Sequence, residues 1–515
     1  MATTIHQQEL HKTIWDIANN LRGKVDGWDF KAYVLGTLFY RYISENLTEY
    51  INQLQAEAGI ENFDYAELDD ETAQDAVKQM VEEKGYFILP SQLFKNVAKN
   101  AAQDQNLNET LSKIFRAIEA SAIGTPAEDD LKGLFSDFIV DNTKLGANVT
   151  ARNSVLAKVL TSVAGMEISG VEGASNDVFG DAYEFLMQMY AAGAGKSGGE
   201  FFTPQEVSEV LSRIAAHGNP DISHVYDPAC GSGSLLLKFR KTVGAKNEGL
   251  KYYGQEVNPT TYNLCRINMF LHNVDYNNFD IRLGDTLLQP LHLDQEFDAI
   301  VSNPPYSLKW DGKDKATLIN DERYSPAGVL APKSAADLAF TMHMLHHLKE
   351  TGTCAIVEFP GVLYRGGAEK AIREYLIKGN FVDTVIQLPA NLFFGVGIAT
   401  CIIVLRKGNR PDSRVLFMDA SALCQKQGNK NVLLPEHQYA IVEAYANRKE
   451  IQYFTRLVEN DDILANDCNL SVSSYVEQED KREVIDIKAV NKEIETVVAQ
   501  NQELRAKIDE FIKSL

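Results

Sequence analysis

The chain has 515 residues, 45% of them hydrophobic and 23% charged, and carries a formal net charge of −21. That length supports about two to four domains with substantial cores. The charge argues against a protein that grips DNA unaided, because phosphate contacts supply most of such affinity and call for a basic surface.

The N-terminus, MATTIHQQELHK, lacks the apolar stretch of a signal peptide. No run of the chain approaches the ~18 apolar residues of a membrane span. Six cysteines (Cys230, Cys265, Cys354, Cys401, Cys424 and Cys468) form no CxxC pair. That usage suits reduced thiols in a cytosol better than a disulfide framework or a zinc site, so a cytoplasmic protein without a structural metal is expected.

Residues 1–165 read as a helical N-terminal domain. Leu10, Ile14, Ile17, Ala18 and Leu21 share one face at helical spacing. A second pattern, from Phe30 to about Gln55, carries the stripe Leu35, Leu38, Phe39, Tyr42 and Ile43. Within 166–420 the texture changes to short β-rich runs separated by helical segments: SHVYDPA, KYYGQEV, FDIRLGD, FDAIVSN, TCAIVEFP, FVDTVIQLP, ATCIIVLRK and VLFMDA. Such alternation predicts an α/β fold with a doubly wound, Rossmann-like sheet whose ligands lie at the carboxyl ends of its strands. Residues 421–515 read as a C-terminal region, mixed at first and then helical. Its end carries a heptad seam: Val490, Val497, Leu504 and Phe511 occupy one core position, and Ile494, Asn501, Ile508 and Leu515 the other. A lone Asn at such a site often fixes register and partner number at some cost in stability, so a helix that pairs with another chain is expected ahead of the alternative, a C-terminal helix packed on its own domain.

The chemistry sits at the strand tips. DPACGSGSLL, residues 227–236, follows the first run and opens a helix; Gly231 and Gly233 allow a tight turn and a close backbone approach to a ligand. Leu236 stands where the dinucleotide fingerprint needs its third glycine, which counts against NAD. Asp227 beside the turn suits the ammonium of an amino-acid ligand. Glu256 ends the second run, placed to accept the two hydroxyls of a ribose, and Asp285 follows the third, placed to accept an adenine amine. A nucleoside with an amino-acid tail, S-adenosylmethionine, satisfies all three.

The fourth tip is SNPPYS, residues 302–307. The Asn303 side-chain oxygen and the Pro304 carbonyl could each accept one N–H of an exocyclic amine, freeing its lone pair. Pro304 and Pro305 fix φ and so the direction of those acceptors. Tyr306 offers a face on which an extruded base can stack.

These motifs, with GGEFFTPQEV (198–207), WDIANNLRGKVDGWDFKAYVLGTLFYRYIS near the N-terminus, PKSAADLAF (332–340) and YRGGAEKAIREYL (364–376), resemble the modification (M) subunit of type I restriction–modification systems, in the N6-adenine DNA methyltransferase family. The resemblance implies S-adenosylmethionine as cofactor and a catalytic tetrad at Asn303, Pro304, Pro305 and Tyr306. It implies cofactor contacts from Glu200, Phe201, Phe202, Thr203, Pro204 and Gln205 over the methionine end, from Gly231, Ser232, Gly233 and Ser234 in the glycine loop, and from Glu256. It also implies double-stranded DNA as substrate, a separate specificity (S) subunit usually clamped by two M subunits, and a restriction (R) subunit in the full complex. The seam at 490–515 is then a candidate contact for the helical spacers of the specificity subunit.

Two other readings keep part of this pattern: a protein glutamine or RNA N-methyltransferase with the same tetrad, and a cofactor-binding scaffold for a nuclease complex. Three further motifs are better read as bland. GAGKSGGE (193–200) lacks the first glycine of a P-loop, Tyr190 standing in its place; HMLHH (343–347) has Met344 where a zinc-protease motif needs glutamate; and Cys230 lies beside the cofactor turn, away from the target.

Overall fold

The computed structural model describes residues 27–166, 178–193, 203–243, 249–393, 395–408, 410, 412–428, 430–479 and 487–514. The first expected stripe, Leu10 to Leu21, lies outside them. The second forms a 31-residue helix, Gly27–Glu57, and Leu35, Leu38, Phe39, Tyr42 and Ile43 are all buried. Against it packs the Val149–Ala164 helix, whose N-cap Asn148 accepts the Ala151 N–H. Tyr40 meets Phe115 of the Leu107–Ser121 helix edge-on at 5.4 Å. This helical layer is tied to the rest by Arg266, a fully buried cation whose Nη1 donates to the carbonyls of Asp129 and Lys132 at 2.8 and 2.9 Å. Those acceptors make its burial tolerable.

The eight β-rich runs form β1 (His224–Asp227), β2 (Lys251–Glu256), β3 (Phe279–Leu283), β4 (Phe297–Ser302), β5 (Leu348–Glu358), β6 (Val382–Gln387), β7 (Cys401–Arg406) and β8 (Arg414–Asp419). A small antiparallel hairpin, β9 (Gln425–Gln427) and β10 (Lys430–Val432), stands apart, and β11 is Thr455–Glu459. The main sheet has the order β11-β8-β6-β7-β5-β4-β1-β2-β3. Its neighbours are parallel except where β7 runs against β5 and β6, and β11 against β8.

Alternate residues of one strand enter two different cores, as the period of two requires. Val225, Ala299, Val301, Ala355 and Val357 join the core shared with the Gln205–Ala216 and Ser234–Val243 helices. Tyr226, Ile300, Cys354 and Ile356 face the core of the Asp337–His347 and Ala368–Lys378 helices. Both faces are therefore covered, as expected of a doubly wound sheet.

The expected boundary at 420 falls inside this unit. β11 extends the sheet at its edge, and the Pro435–Asn447 helix sinks Ile441 and Tyr445 into the first core. The first compact unit runs to Val476 and the second is Glu477–Leu515. TRLVE reads weakly as a strand because, at the edge of the sheet, it exposes Arg456 and Glu459. Among its described residues the second unit holds one helix, Ile487–Ser514, with no buried residue. Val490, Ile494, Val497, Leu504, Ile508 and Phe511 along its seam are between 40% and 67% exposed. Asn501 is exposed with them, and Leu515 lies outside the described residues. Among the described residues no helix is long and apolar enough to cross a membrane.

Candidate active site

The chain lays down β1, β2 and β3 outward to one side, then returns to place β4 on the other side of β1. A crevice opens at such a reversal, at the carboxyl ends of the two central strands. β1 ends there with Asp227 and β4 with Ser302, both buried. The Ser302 hydroxyl donates to Asp227 Oδ1 at 2.7 Å, and the same oxygen accepts the Ala229 N–H at 3.0 Å. Burial pushes the Asp227 carboxyl up to about 7, against the pull of those two hydrogen bonds.

Past Asp227 the chain turns through Gly231 (φ 53°) and Gly233 (φ 79°). A Cβ at Gly233 would lie 2.7 Å from Cys265 Sγ, so both backbone angle and space call for glycine. The Gly231 N–H donates to Glu256 Oε2 at 3.1 Å, and the Asn258 N–H to Glu256 Oε1 at 2.8 Å. Burial raises the Glu256 carboxyl as well. Asp285 lies two residues beyond β3, its Oδ1 accepting the Leu287 and Leu288 N–H groups at 2.9 and 3.1 Å. Thr286 fastens this third tip to the first, donating to the Pro228 carbonyl at 2.6 Å. Asp227 and Glu256 thus stand with the glycine turn between them, each keeping lone pairs for a ligand's donors. Two neighbouring carboxylates repel phosphate and fit a ligand that brings an ammonium and vicinal hydroxyls, which is the polar edge of S-adenosylmethionine.

Directly after Ser302 comes the tetrad. Asn303 Nδ2 donates to Thr203 Oγ1 at 3.2 Å, and the Tyr306 hydroxyl donates to Asn303 Oδ1 at 2.5 Å. The oxygen expected to face an incoming amine therefore already accepts one O–H, and its second lone pair remains. The Tyr306 ring is half-buried, with Phe359 and Phe393 at centroid distances of 6.1 and 6.4 Å. Behind the tetrad, Ser307 adopts φ 52° and its N–H donates to both carboxylate oxygens of buried Asp337, at 3.1 and 3.2 Å. PKSAADLAF thereby brings the carboxylate that holds the tetrad's turn.

Of the FFTP stretch, Glu200, Phe201 and Phe202 lie outside the described residues, as do residues 194–200 of GAGKSGGE. Thr203 reaches Asn303 across 100 residues of sequence, Pro204 is the N-cap of the Gln205–Ala216 helix, and Gln205 Nε2 donates to Glu184 Oε2 at 2.7 Å. Neither Glu184 nor Asp337, whose carboxylates reach these turns, was singled out in the sequence: a single acid within a helix carries no signal of its own. His343, at 3.0 Å from both Tyr226 Oη and Arg323 Nη1, is a buried core residue with its pKa pushed well down by burial. Contact with Cys265 and burial push the Cys230 thiol well up, which leaves no thiolate for nucleophilic attack.

A reversal crevice, a glycine turn flanked by carboxylates and an Asn-Pro-Pro-Tyr tip define an S-adenosylmethionine-dependent methyltransferase fold directed at an amine. The N-6 DNA methylase family matches residues 174–484, and the HsdM N-terminal domain family matches residues 10–163. The chain belongs to the methylase subunits of type I restriction enzymes, and with them to the N6-adenine DNA methyltransferases. It is 47% identical to the type I restriction enzyme MpnII methylase subunit of Mycoplasma pneumoniae, over 99% of this chain and 97% of that one. Its identity to the MjaIX methylase subunit of Methanocaldococcus jannaschii is 25%, over 98% of this chain and 91% of that one. The crystal structure of a type I restriction–modification methyltransferase subunit from Streptococcus thermophilus superposes with a TM-score of 0.83 at 36% identity, covering 92% of this chain and all of that one.

Proposed function

We propose that this chain transfers the methyl group of S-adenosylmethionine to the exocyclic N6 of an adenine turned out of duplex DNA, as the methylation subunit that protects host DNA. One observation carries the reading: the 2.7 Å bond from Ser302 to Asp227, which joins the tip beside Asn303 to the tip beside the glycine turn. S-adenosylmethionine supplies an activated methyl group on a positively charged sulfur. Asp227 pairs with the cofactor's ammonium, Gly231 to Ser234 let the backbone approach, and Glu256 takes the ribose hydroxyls. The second oxygen of Asp285 accepts from the cofactor's adenine amine, and Thr203, Pro204 and Gln205 face the methionine end.

On the substrate side the second lone pair of Asn303 Oδ1 and the Pro304 carbonyl accept the two N–H bonds of the target amine. Its nitrogen lone pair is thereby withdrawn from the ring and turned toward the methyl group. Pro304 and Pro305 hold those acceptors fixed. Stacking of the base on Tyr306 contributes about 1–3 kcal/mol, which offsets part of the few kcal/mol that extrusion costs.

A net charge of −21 supports a shared grip on DNA. In our reading a specificity subunit, held by two copies of this chain, reads the sequence, a restriction subunit joins them, and the assembly works in the cytoplasm. The exposed seam of the Ile487–Ser514 helix is the surface offered to the helical spacers of the specificity subunit.

The test is transfer of labelled methyl groups to unmethylated plasmid by the chain together with its specificity subunit. Label should appear on adenine N6, and Asn303→Ala should abolish it while leaving cofactor affinity within a few-fold of wild type. Retained transfer by that variant would overturn the assignment of the tetrad.

A further inference from the structure

Glu184 lies in the Val178–Gly193 helix, 19 residues before Thr203 and outside every motif described above. Its carboxylate nonetheless meets both halves of the site. Oε1 accepts the Ser234 hydroxyl at 2.7 Å and, more distantly, Asn268 Nδ2 at 3.4 Å. Oε2 accepts Gln205 Nε2–H at 2.7 Å. Ser234 closes the glycine turn and opens the Ser234–Val243 helix, and its oxygen lies 3.0 Å from Ser232 Oγ. Gln205 opens the Gln205–Ala216 helix, two residues after Thr203, which holds the Asn303 amide.

We infer that Glu184 is a positioning residue for methyl transfer, fixing the glycine turn relative to the segment that orients Asn303. The inference rests on the functional reading above and adds to it a residue that acts through the side chains of Ser234 and Gln205. A carboxylate suits the place physically. It bridges the first residues of two helices, where the unpaired N–H ends of both favour negative charge. Its two 2.7 Å bonds are of the charge-assisted kind, the stronger class of hydrogen bond. A bridge with two fixed anchors also depends on length. Glu184→Gln keeps an acceptor for Gln205 and a donor for the Ser234 oxygen. Glu184→Asp keeps the charge but is one methylene too short to reach both.

The experiment measures cofactor affinity by calorimetry on the full chain and kcat on plasmid with the specificity subunit, for wild type, Glu184→Ala, Glu184→Asp and Glu184→Gln. Loss of a hydrogen bond to a charged group predicts about a tenfold weaker cofactor Kd in the Ala and Asp variants, with a fall in kcat of similar size. The Gln variant should recover most of both. Combining Glu184→Ala with Thr203→Val should cost less than the product of the two single losses, since both act on Asn303 through one segment. Should the Ala variant fail to fold, the contrast between Asp and Gln decides alone. Folded variants with Kd and kcat within twofold of an active wild type would overturn the inference, as would an Asp variant that outperforms Gln. A wild-type complex that transfers no label strikes instead at the functional reading.

Discussion

Replacing Asp227 by asparagine is expected to stabilise the free protein while weakening its hold on the cofactor. The carboxyl sits only 2% exposed at the end of β1, and burial lifts it from an ordinary value of 3.8 to about 7. At about 1.4 kcal/mol per tenfold in proton affinity, the fold disfavours the ionised form by about 4 kcal/mol. Because the folded value is the raised one, an unfolded chain releases this proton first. The group's contribution to stability is complete below about pH 4, declines as pH rises toward 7, and is flat above. Asparagine does not titrate, and its Oδ1 can still accept both the Ala229 N–H and the Ser302 hydroxyl, since both bonds in the native protein fall on one oxygen. Urea unfolding of the two proteins should therefore give nearly equal stability at pH 4 and a gap that widens to about 4 kcal/mol in favour of Asp227→Asn at pH 8. Calorimetry should show the converse for S-adenosylmethionine: wild-type affinity rising with pH up to about 7 and then level, and the variant weak throughout. A gap that does not change with pH, or a variant that unfolds more easily at pH 8, would refute the reasoning.

His347 offers the opposite titration. Burial, the main cause, lowers its pKa from 6.5 to about 4, so the native state refuses a proton that the unfolded chain takes up below 6.5. Stability is lost as pH falls from 6.5 to 4, by up to about 3 kcal/mol. His347→Asn keeps a donor for the Gln295 carbonyl, 2.9 Å from Nδ1, and should close its stability deficit against wild type by that amount between pH 7.5 and 4.5; a constant deficit would count against it. Deleting residues 490–515 should weaken co-purification with the specificity subunit and leave cofactor affinity unchanged, and undiminished co-purification would refute the docking role of the seam.

How much was legible in the sequence follows from what each element needed. Strands such as FDAIVSN and TCAIVEFP are buried on both faces, so their continuous apolar runs stood out against any helix period. The places of Asp227, Glu256 and Asn303 at strand tips were readable because each ends such a run. β11 was missed because a strand at the edge of the sheet needs an apolar residue on one face only. The Thr203–Asn303 bond spans 100 residues and the Glu184–Ser234 bond 50, and neither pair shares a periodic pattern that could announce it. The orientation of Asn303, with Tyr306 on its oxygen and Thr203 on its nitrogen, is likewise a product of tertiary packing alone.

The place of β7 has a consequence for synthesis. It runs antiparallel between β5 and β6, so β6 emerges from the ribosome before the strand that joins it to β5 exists. At about 5–20 residues per second, the roughly 40 residues from the end of β5 to the start of β7 take about 2–8 s. Throughout that interval the nascent chain carries an open edge along Cys354, Ala355, Ile356 and Val357, all fully buried in the finished protein. Such an edge is a template for pairing with other chains. A fragment that stops short of Cys401 is therefore an aggregation hazard, although it already contains Asp227, Glu256, Asn303 and Tyr306. In this chain the residues of the candidate site are complete before the sheet beneath them is closed.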